Sequence, residues 1–168
     1  EPRAVPGADG APVVYIPSGG SIVKGAAYVA DLVARMSVAR PELRFFISGP
    51  EPKLRDSRVF APGPLPWADN LAYAASCTLC VSPTLAENLS MAIVEALWLG
   101  LPVATFDVGG NRDVVDETCG VLVELGDVAG LADAAVALLR RSELRPRERA
   151  RDMQERARRD WLALVERA

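Results

Sequence analysis

Apolar residues along the chain fall into two alternating kinds of pattern. Short runs rich in β-branched and aromatic residues recur at 12–16 (PVVYI), 44–48 (RFFIS), 58–60 (RVF), 78–82 (TLCVS), 102–106 (PVATF) and 120–124 (GVLVE). Between them the apolar positions follow a helical period, which predicts helices over 24–39, 66–76, 90–99 and 127–140, and a long one over 145–166. A further helical turn fits the segment after Gly110. The strand runs are apolar at consecutive positions, so both faces need covering, and intervening helices supply the cover. The expectation is one α/β domain, a doubly wound, Rossmann-like parallel sheet of about six strands. Ligands of such sheets sit at the carboxyl ends of the strands where strand order reverses. The loops after residues 16, 48, 60, 82 and 106 are therefore the places to look for chemistry.

The ends of the chain read differently. Residues 1–11, rich in Pro, Gly and Ala, read as a linker or frayed terminus, with the domain itself occupying 12–168. The last helix offers i,i+4 pairs on a solvated face: Arg151 with Glu155, Asp152 with Arg156, Glu155 with Arg159. Its apolar stripe, Met153, Ala157, Trp161 and Val165, is expected to dock it.

Composition narrows the function classes. The chain has 168 residues, 50% hydrophobic and 24% charged, which suits one ordinary globular core. A net charge of −3 argues against a nucleic-acid partner, which would require a basic excess. Histidine is absent, and with it the commonest general base and metal ligand. The three cysteines, Cys77, Cys80 and Cys119, are too few and odd in number for a disulfide framework and favour a cytoplasmic setting. Cys77 and Cys80 precede a strand rather than opening a helix, and only Cys119 could help them hold zinc, so buried structural thiols are expected. The first residues lack the basic start and apolar core of a signal peptide. The longest apolar run, 96–106, is broken by Gly100 and Pro102, so membrane contact is expected to be peripheral at most.

The most informative segment is SPTLAENLSMAIVEALWLGLPVATFDVGG, residues 82–110. Glu87 lies in the loop before its helix and Glu95 in the helix. Amides near Leu89, Ser90 and Met91 have no intrahelical partner and, with the helix dipole, form an anion site. A carboxylate beside a phosphate cradle makes sense when the ligand also carries hydroxyls to donate to it, as a nucleotide sugar does. The structural alternative is an acid near a positive helix end. After the first strand comes SGGSIVKGA, residues 18–26. Gly19 and Gly20 allow close backbone approach to a ligand. Lys24 stands near a helix start, where the dipole disfavours a cation unless it meets a bound diphosphate; its alternative is a solvated surface lysine. The segment is not a P-loop, because no glycine directly precedes Lys24 and no Ser or Thr follows it.

In order and spacing these residues resemble the retaining GT-B glycosyltransferases of the bacterial group 1 type, related to glycogen and sucrose synthases. Lys24-Gly25 is similar to the family's KG motif, residues 87–95 to its E-x7-E motif, and EALWLGLPV (95–103) to its EAMAxGxPV. Asp107 to Gly110 followed by Asp113 resembles GGxxE, and Asp160-Trp161 resembles the terminal-helix signature. The resemblance covers nearly all of 12–165 and implies the C-terminal, donor-binding half of a GT-B enzyme. By it, Glu87 would bind donor-sugar hydroxyls nearest the reacting centre, and Glu95 the ribose. Lys24 would stabilise the leaving diphosphate together with amides of Ser90, Met91 and Ala92. Asn88 and Leu89 would belong to the same donor-binding turn, and the loop around Val59 and Phe60 would contact the base. Such enzymes retain anomeric configuration and use the leaving phosphate to help deprotonate the acceptor, with no cofactor and no metal required.

Three positions depart from the family pattern. Gly19 stands where an arginine is usual, with Arg112 the candidate replacement. Asn88-Leu89-Ser90 replaces a glycine-rich turn, and Asp113 shortens the usual acid by one methylene. The acceptor-binding N-terminal domain is absent from this chain and would act in cis or in trans. The alternatives are a non-catalytic nucleotide-sugar or phosphate-binding module and, further off, a nucleotide-sugar epimerase.

Overall fold

The computed structural model describes residues 1–17, 21–50 and 54–166. Six strands alternate with helices: β1 (Val13–Ile16), α1 (Val29–Ala39), β2 (Arg44–Ile47), β3 (Val59–Phe60), α2 (Trp67–Ala74), β4 (Leu79–Ser82), α3 (Met91–Leu99), β5 (Val103–Phe106), α4 (Asn111–Val114), β6 (Gly120–Val123), α5 (Val128–Leu138) and α6 (Pro146–Val165). They form one sheet in the order β3-β2-β1-β4-β5-β6, every pair parallel. That is the doubly wound order, and its direction reverses between β1 and β4.

Alternation along each strand divides the core into two layers. Val14 and Ile16 of β1 face one layer with Phe45, Ile47, Val81, Ala104 and Phe106, covered by α1 and α5 through Leu32, Met36, Leu131 and Ala135. Val13 and Tyr15 face the other with Phe46, Cys80 and Val103, covered by α3, α4 and α6 through Ile93, Leu97, Val114 and Ala150. Each fully buried Val, Leu, Ile or Phe contributes about 1.5–3 kcal/mol. Tyr15, Phe46, Phe60 and Tyr73 add an aromatic chain with ring centroids 5.1–5.9 Å apart.

Helix ends follow local chemistry. Asp127 caps α5 by accepting from the Gly130 amide at 2.8 Å. Gly100, at φ 90°, closes α3 in the left-handed region, directly before Leu101-Pro102. The first long helix begins later than expected. Gly25 at φ 75° breaks the run after Lys24, a 3-10 turn follows (Ala26–Tyr28), and α1 starts at Val29.

Two expectations about the ends need correction. Residues 1–11 are not frayed: Val5 is buried, the Arg3 amide donates to Ala72, and Arg3 pairs with Asp69 at 3.1 Å while lying over the Tyr73 ring. These anchors are distant in sequence, so composition alone could not reveal them. Of the expected stripe of α6 only Met153 docks, after Pro146 and Ala150, which are buried in the first turns; Ala157, Trp161 and Val165 are exposed. Among the described residues none of the three expected ion pairs of α6 forms, and Arg156 pairs instead with Asp160 at 3.9 Å. Such exposed pairs exchange freely because each is worth little. What fixes α6 is its first turns: Arg149 donates to the carbonyls of Asp113 and Val114 and pairs with Asp116 at 3.1 Å.

Cys77, Cys80 and Cys119 are free thiols, all buried. Burial pushes the Cys77 thiol up to about 12 and Cys119 up to about 11, and raises Cys80 as well. No helix among the described residues is long and apolar enough to cross a membrane.

Candidate functional site

Two loops meet where the strand order reverses. The loop after β1 and the loop after β4 are joined at Val23, whose carbonyl accepts the Leu85 amide at 2.8 Å and the Thr84 hydroxyl at 3.3 Å. A side chain at Gly25 would put its Cβ 1.9 Å from the Pro83 carbonyl oxygen, so only glycine lets the loops approach. This junction brings Lys24 against Glu87, and the ammonium and carboxylate form an ion pair. The Glu87 side chain is 15% exposed and that of Lys24 41%, so the pair opens to solvent on the lysine side. The cation near the helix start is thus neutralised by Glu87, a pairing that the spacing of the two motifs did not disclose.

A second backbone contact fixes Glu87 from the other side. A Cβ at Gly109 (φ 50°) would lie 1.6 Å from the Glu87 carbonyl oxygen, and one at Gly110 would lie 2.3 Å from that of Asn88. The Gly110 amide donates to the Asn88 carbonyl at 2.9 Å. Buried Asn111 holds this turn by donating to the Thr105 hydroxyl (3.2 Å) and the Phe106 carbonyl (3.1 Å), while Thr105 donates to the Ser82 carbonyl at 2.8 Å. An open pocket of about 500 Å³ results, lined by Leu85, Ala86, Glu87, Asn88, Val108 and Gly109.

Helix α3 begins directly after Glu87 and Asn88. Among the described residues the amides of Leu89, Ser90, Met91 and Ala92 donate to no backbone acceptor. They supply the positive end of a helix dipole beside the Lys24–Glu87 pair. Glu95, further along α3, accepts a 2.8 Å hydrogen bond from the indole N–H of Trp67 at the start of α2. Trp67 also lines a neighbouring cavity of about 330 Å³ with Ser48, Gly49, Pro64, Leu65 and Asn70, at the carboxyl ends of β2 and β3.

The remaining candidates are distributed less tightly. Gly19 and Gly20 lie outside the described residues. Val59 and Phe60 form strand β3, half-buried, with their side chains packed against the two core layers; neither lines the cavity, which the chain reaches only at Pro64 and Leu65. Arg112 is engaged by Asp107 through two hydrogen bonds of 2.9 and 3.1 Å. It lines a groove beside α6, together with Asn88, Leu89 and Asp113, rather than the pocket at Glu87. Trp67 and Asn111 escaped the sequence reading. The signal for Asn111 was its place directly after the double glycine, and that for Trp67 was an aromatic at the first turn of a helix on the ligand edge. Among the described residues no group of three or more His, Cys, Asp or Glu side chains converges as a metal site would.

This fold, with its polar groups gathered at the reversal point, is that of a Rossmann-like domain found in solved GT-B glycosyltransferases. TarM superposes with a TM-score of 0.72 at 20% identity, over 90% of this chain and 34% of its own. The pneumococcal O-GlcNAc transferase GtfA, solved with UDP and GlcNAc, gives 0.73 at 17% identity, over 95% and 37%. The chain belongs to the family "Glycosyl transferases group 1", which residues 12–141 match. A phosphatidyl-myo-inositol mannosyltransferase of Mycobacterium leprae (strain TN) is 41% identical over 80 residues, 47% of this chain and 21% of the relative. A 2-deoxystreptamine glucosyltransferase of Streptomyces kanamyceticus is 29% identical over 136 residues, 74% and 35%. The chain therefore spans about a fifth to a third of these curated relatives.

Proposed function

We propose that the chain is the donor-binding half of a retaining glycosyltransferase and holds a nucleoside diphosphate sugar at the reversal point of its sheet. One observation carries the reading: Lys24 and Glu87, from loops far apart in sequence, meet beside the unengaged amides that open α3. Cation and amides suit a diphosphate, and the carboxylates suit hydroxyls. Relatives named for sugar transfer and a neighbouring fold solved with UDP and GlcNAc support the same class of ligand.

In this mechanism the amides of Ser90, Met91 and Ala92 and the Lys24 ammonium take the diphosphate. Lys24 leaves Glu87 as the phosphate arrives, and the freed Glu87 carboxylate accepts hydroxyls of the sugar. When the bond from the anomeric carbon to the phosphate oxygen breaks, the departing negative charge is met by Lys24 and the helix end, and Glu87 faces the positive charge left on the sugar. The acceptor hydroxyl enters on the same face, its proton passing to the departing phosphate, so configuration is retained. The acceptor is held by a domain outside this chain. Arg112, already engaged by Asp107, is a weak substitute for an arginine at position 19, and this favours a binding module as the second reading.

Thermal melts of the 168-residue chain with UDP, GDP and ADP and their sugar conjugates test the proposal. A ligand at a hundred times its dissociation constant adds about 2.7 kcal/mol of stability. One base series should raise the melting temperature, equally with magnesium and with chelator. No shift with any compound at millimolar concentration overturns the donor-site reading, and a strict magnesium requirement overturns the metal-free mechanism. If binding holds but full-length protein neither transfers nor hydrolyses the sugar, the binding-module reading replaces it.

A further inference from the structure

Glu95 and Trp67 come from different helices and have no shared motif, yet the indole N–H donates to Glu95 Oε1 at 2.8 Å. The helix start that carries the tryptophan is anchored although its ring is exposed. It opens α2 directly after Pro66, and Asn70, one turn on, donates its amide to the Pro66 carbonyl at 3.0 Å. The Asn70 side chain donates to the Tyr15 hydroxyl at 2.9 Å, and Tyr15 is buried in the sheet with its hydroxyl 3.4 Å from Ser48 Oγ. Burial pushes the Tyr15 phenol up to about 12, so it stays protonated and the mount does not change with pH in the neutral range. Trp67 lines the cavity shared with Ser48, Gly49, Pro64, Leu65 and Asn70.

A carboxylate has four lone-pair directions, and a single indole donor uses one. Glu95 held this way still offers Oε2 and part of Oε1 to a pair of vicinal hydroxyls. A free glutamate must lose rotamer entropy to do the same, a cost that prior fixing removes. Resting on the donor-site reading above, we propose that Trp67 is a positioning residue that sets the Glu95 carboxylate for a vicinal diol. It walls the adjoining cavity against the nucleoside base, so discrimination for ribose over sugars lacking the diol passes through Trp67.

Calorimetry on the 168-residue chain, with UDP and GDP, their 2′,3′-dideoxy counterparts and inorganic pyrophosphate as probes, tests this. Trp67→Phe keeps the ring and removes the donor. It should weaken the ribonucleoside diphosphate that binds by about three- to tenfold, the effect of one hydrogen bond. The dideoxy compound and pyrophosphate should change by less than about twofold, because neither uses the diol. In Glu95→Gln, adding Trp67→Phe should cost far less than it does in the parent, the coupling expected of touching residues. An equal loss for ribo and dideoxy ligands would reduce Trp67 to a base-stacking surface, and additivity with Glu95→Gln would remove its action through Glu95. Failure of every nucleotide to bind the parent chain overturns the donor-site reading and this inference with it. Binding by the parent with a silent Trp67→Phe overturns the inference alone. The exposure of Trp67, 67%, means the substitution leaves the fold intact, which an unchanged melting temperature verifies.

Discussion

Glu87 and Glu95 stand eight residues apart, and the protein holds them by opposite means. The loop of Glu87 is clamped through main chain: Leu85 to Val23, Gly110 to Asn88, and glycines at 25, 109 and 110 where a Cβ would strike a carbonyl oxygen. Glu95 stands on a regular helix, and one side-chain bond to Trp67 sets its carboxylate. The difference teaches where each geometry is encoded. The position of Glu87 is written in glycines that bear no chemistry, whereas the orientation of Glu95 is written in an aromatic residue on another helix. Damage to the first should therefore be structural, and damage to the second should be felt only by ligands.

The largest effect should come from the clamps. Gly25→Ala and Gly109→Ala each combine a left-handed backbone with a collision against a carbonyl, and should lower stability by about 3 kcal/mol or more in urea unfolding. Gly63→Ala and Gly126→Ala share the left-handed backbone but meet nothing within 4 Å, and should lose only about 1 kcal/mol. If all four lose alike, the loops are not clamped by close approach.

Next come the charged residues that the clamp brings together. Lys24→Ala should weaken nucleoside diphosphate and sugar conjugate alike, by about 1.5–3 kcal/mol for a charged hydrogen bond. Glu87→Ala should separate the two ligands. It removes the carboxylate from beside Lys24, so plain diphosphate should bind as well or better, while the sugar conjugate loses about 1–3 kcal/mol. Calorimetry decides it, and equal losses for both ligands would show that Glu87 does not meet the sugar.

A smaller effect lies in the turn before β3, which side chains rather than glycines hold. Hydrogen bonds from Arg58 bring the Asp56 carboxylate down to about 2, below its ordinary value near 3.8. A lowered carboxylate stabilises the fold above its unfolded value and loses that contribution as pH falls through about 2. For a pair this close to the surface the contribution is about 0.2–1 kcal/mol. Arg58→Ala should lose it at neutral pH, and the stability gap to the parent should close between pH 4 and pH 2. A gap that stays constant through that window would assign the loss to packing. Smallest of all should be removal of α6 beyond Ala157, within about 0.5 kcal/mol, since Trp161, Leu162 and Val165 are exposed.

The sheet was legible in the sequence because its strands are apolar on both faces, and the helices because Gly100 and Asp127 mark their ends. The run from Ser82 to Gly110 disclosed which residues would gather. It did not disclose how they pair. Lys24 finds Glu87 only because β1 and β4 are neighbours, and Trp67 finds Glu95 only because α2 lies against α3. Trp161 shows the converse: a helical period reveals an apolar stripe but not what covers it, and here the stripe stands in solvent from Ala157 onward. Val5 hides in a segment whose Pro and Gly content suggests slack chain, because its anchors lie some seventy residues downstream, at Ala72 and Ser76.

The buried thiols give the fold a chemical clock. An electrophile attacks thiolate, and burial leaves Cys77, Cys80 and Cys119 almost wholly protonated at neutral pH and shielded besides. Alkylation must therefore wait for the chain to open. Cys80 lies inside β4 at the centre of the sheet, whereas Cys77 precedes that strand. Cys77 should thus be modified during partial openings near α2, and Cys80 only when the sheet itself comes apart. Two sulfurs three residues apart would then time two different events, without any change to the sequence.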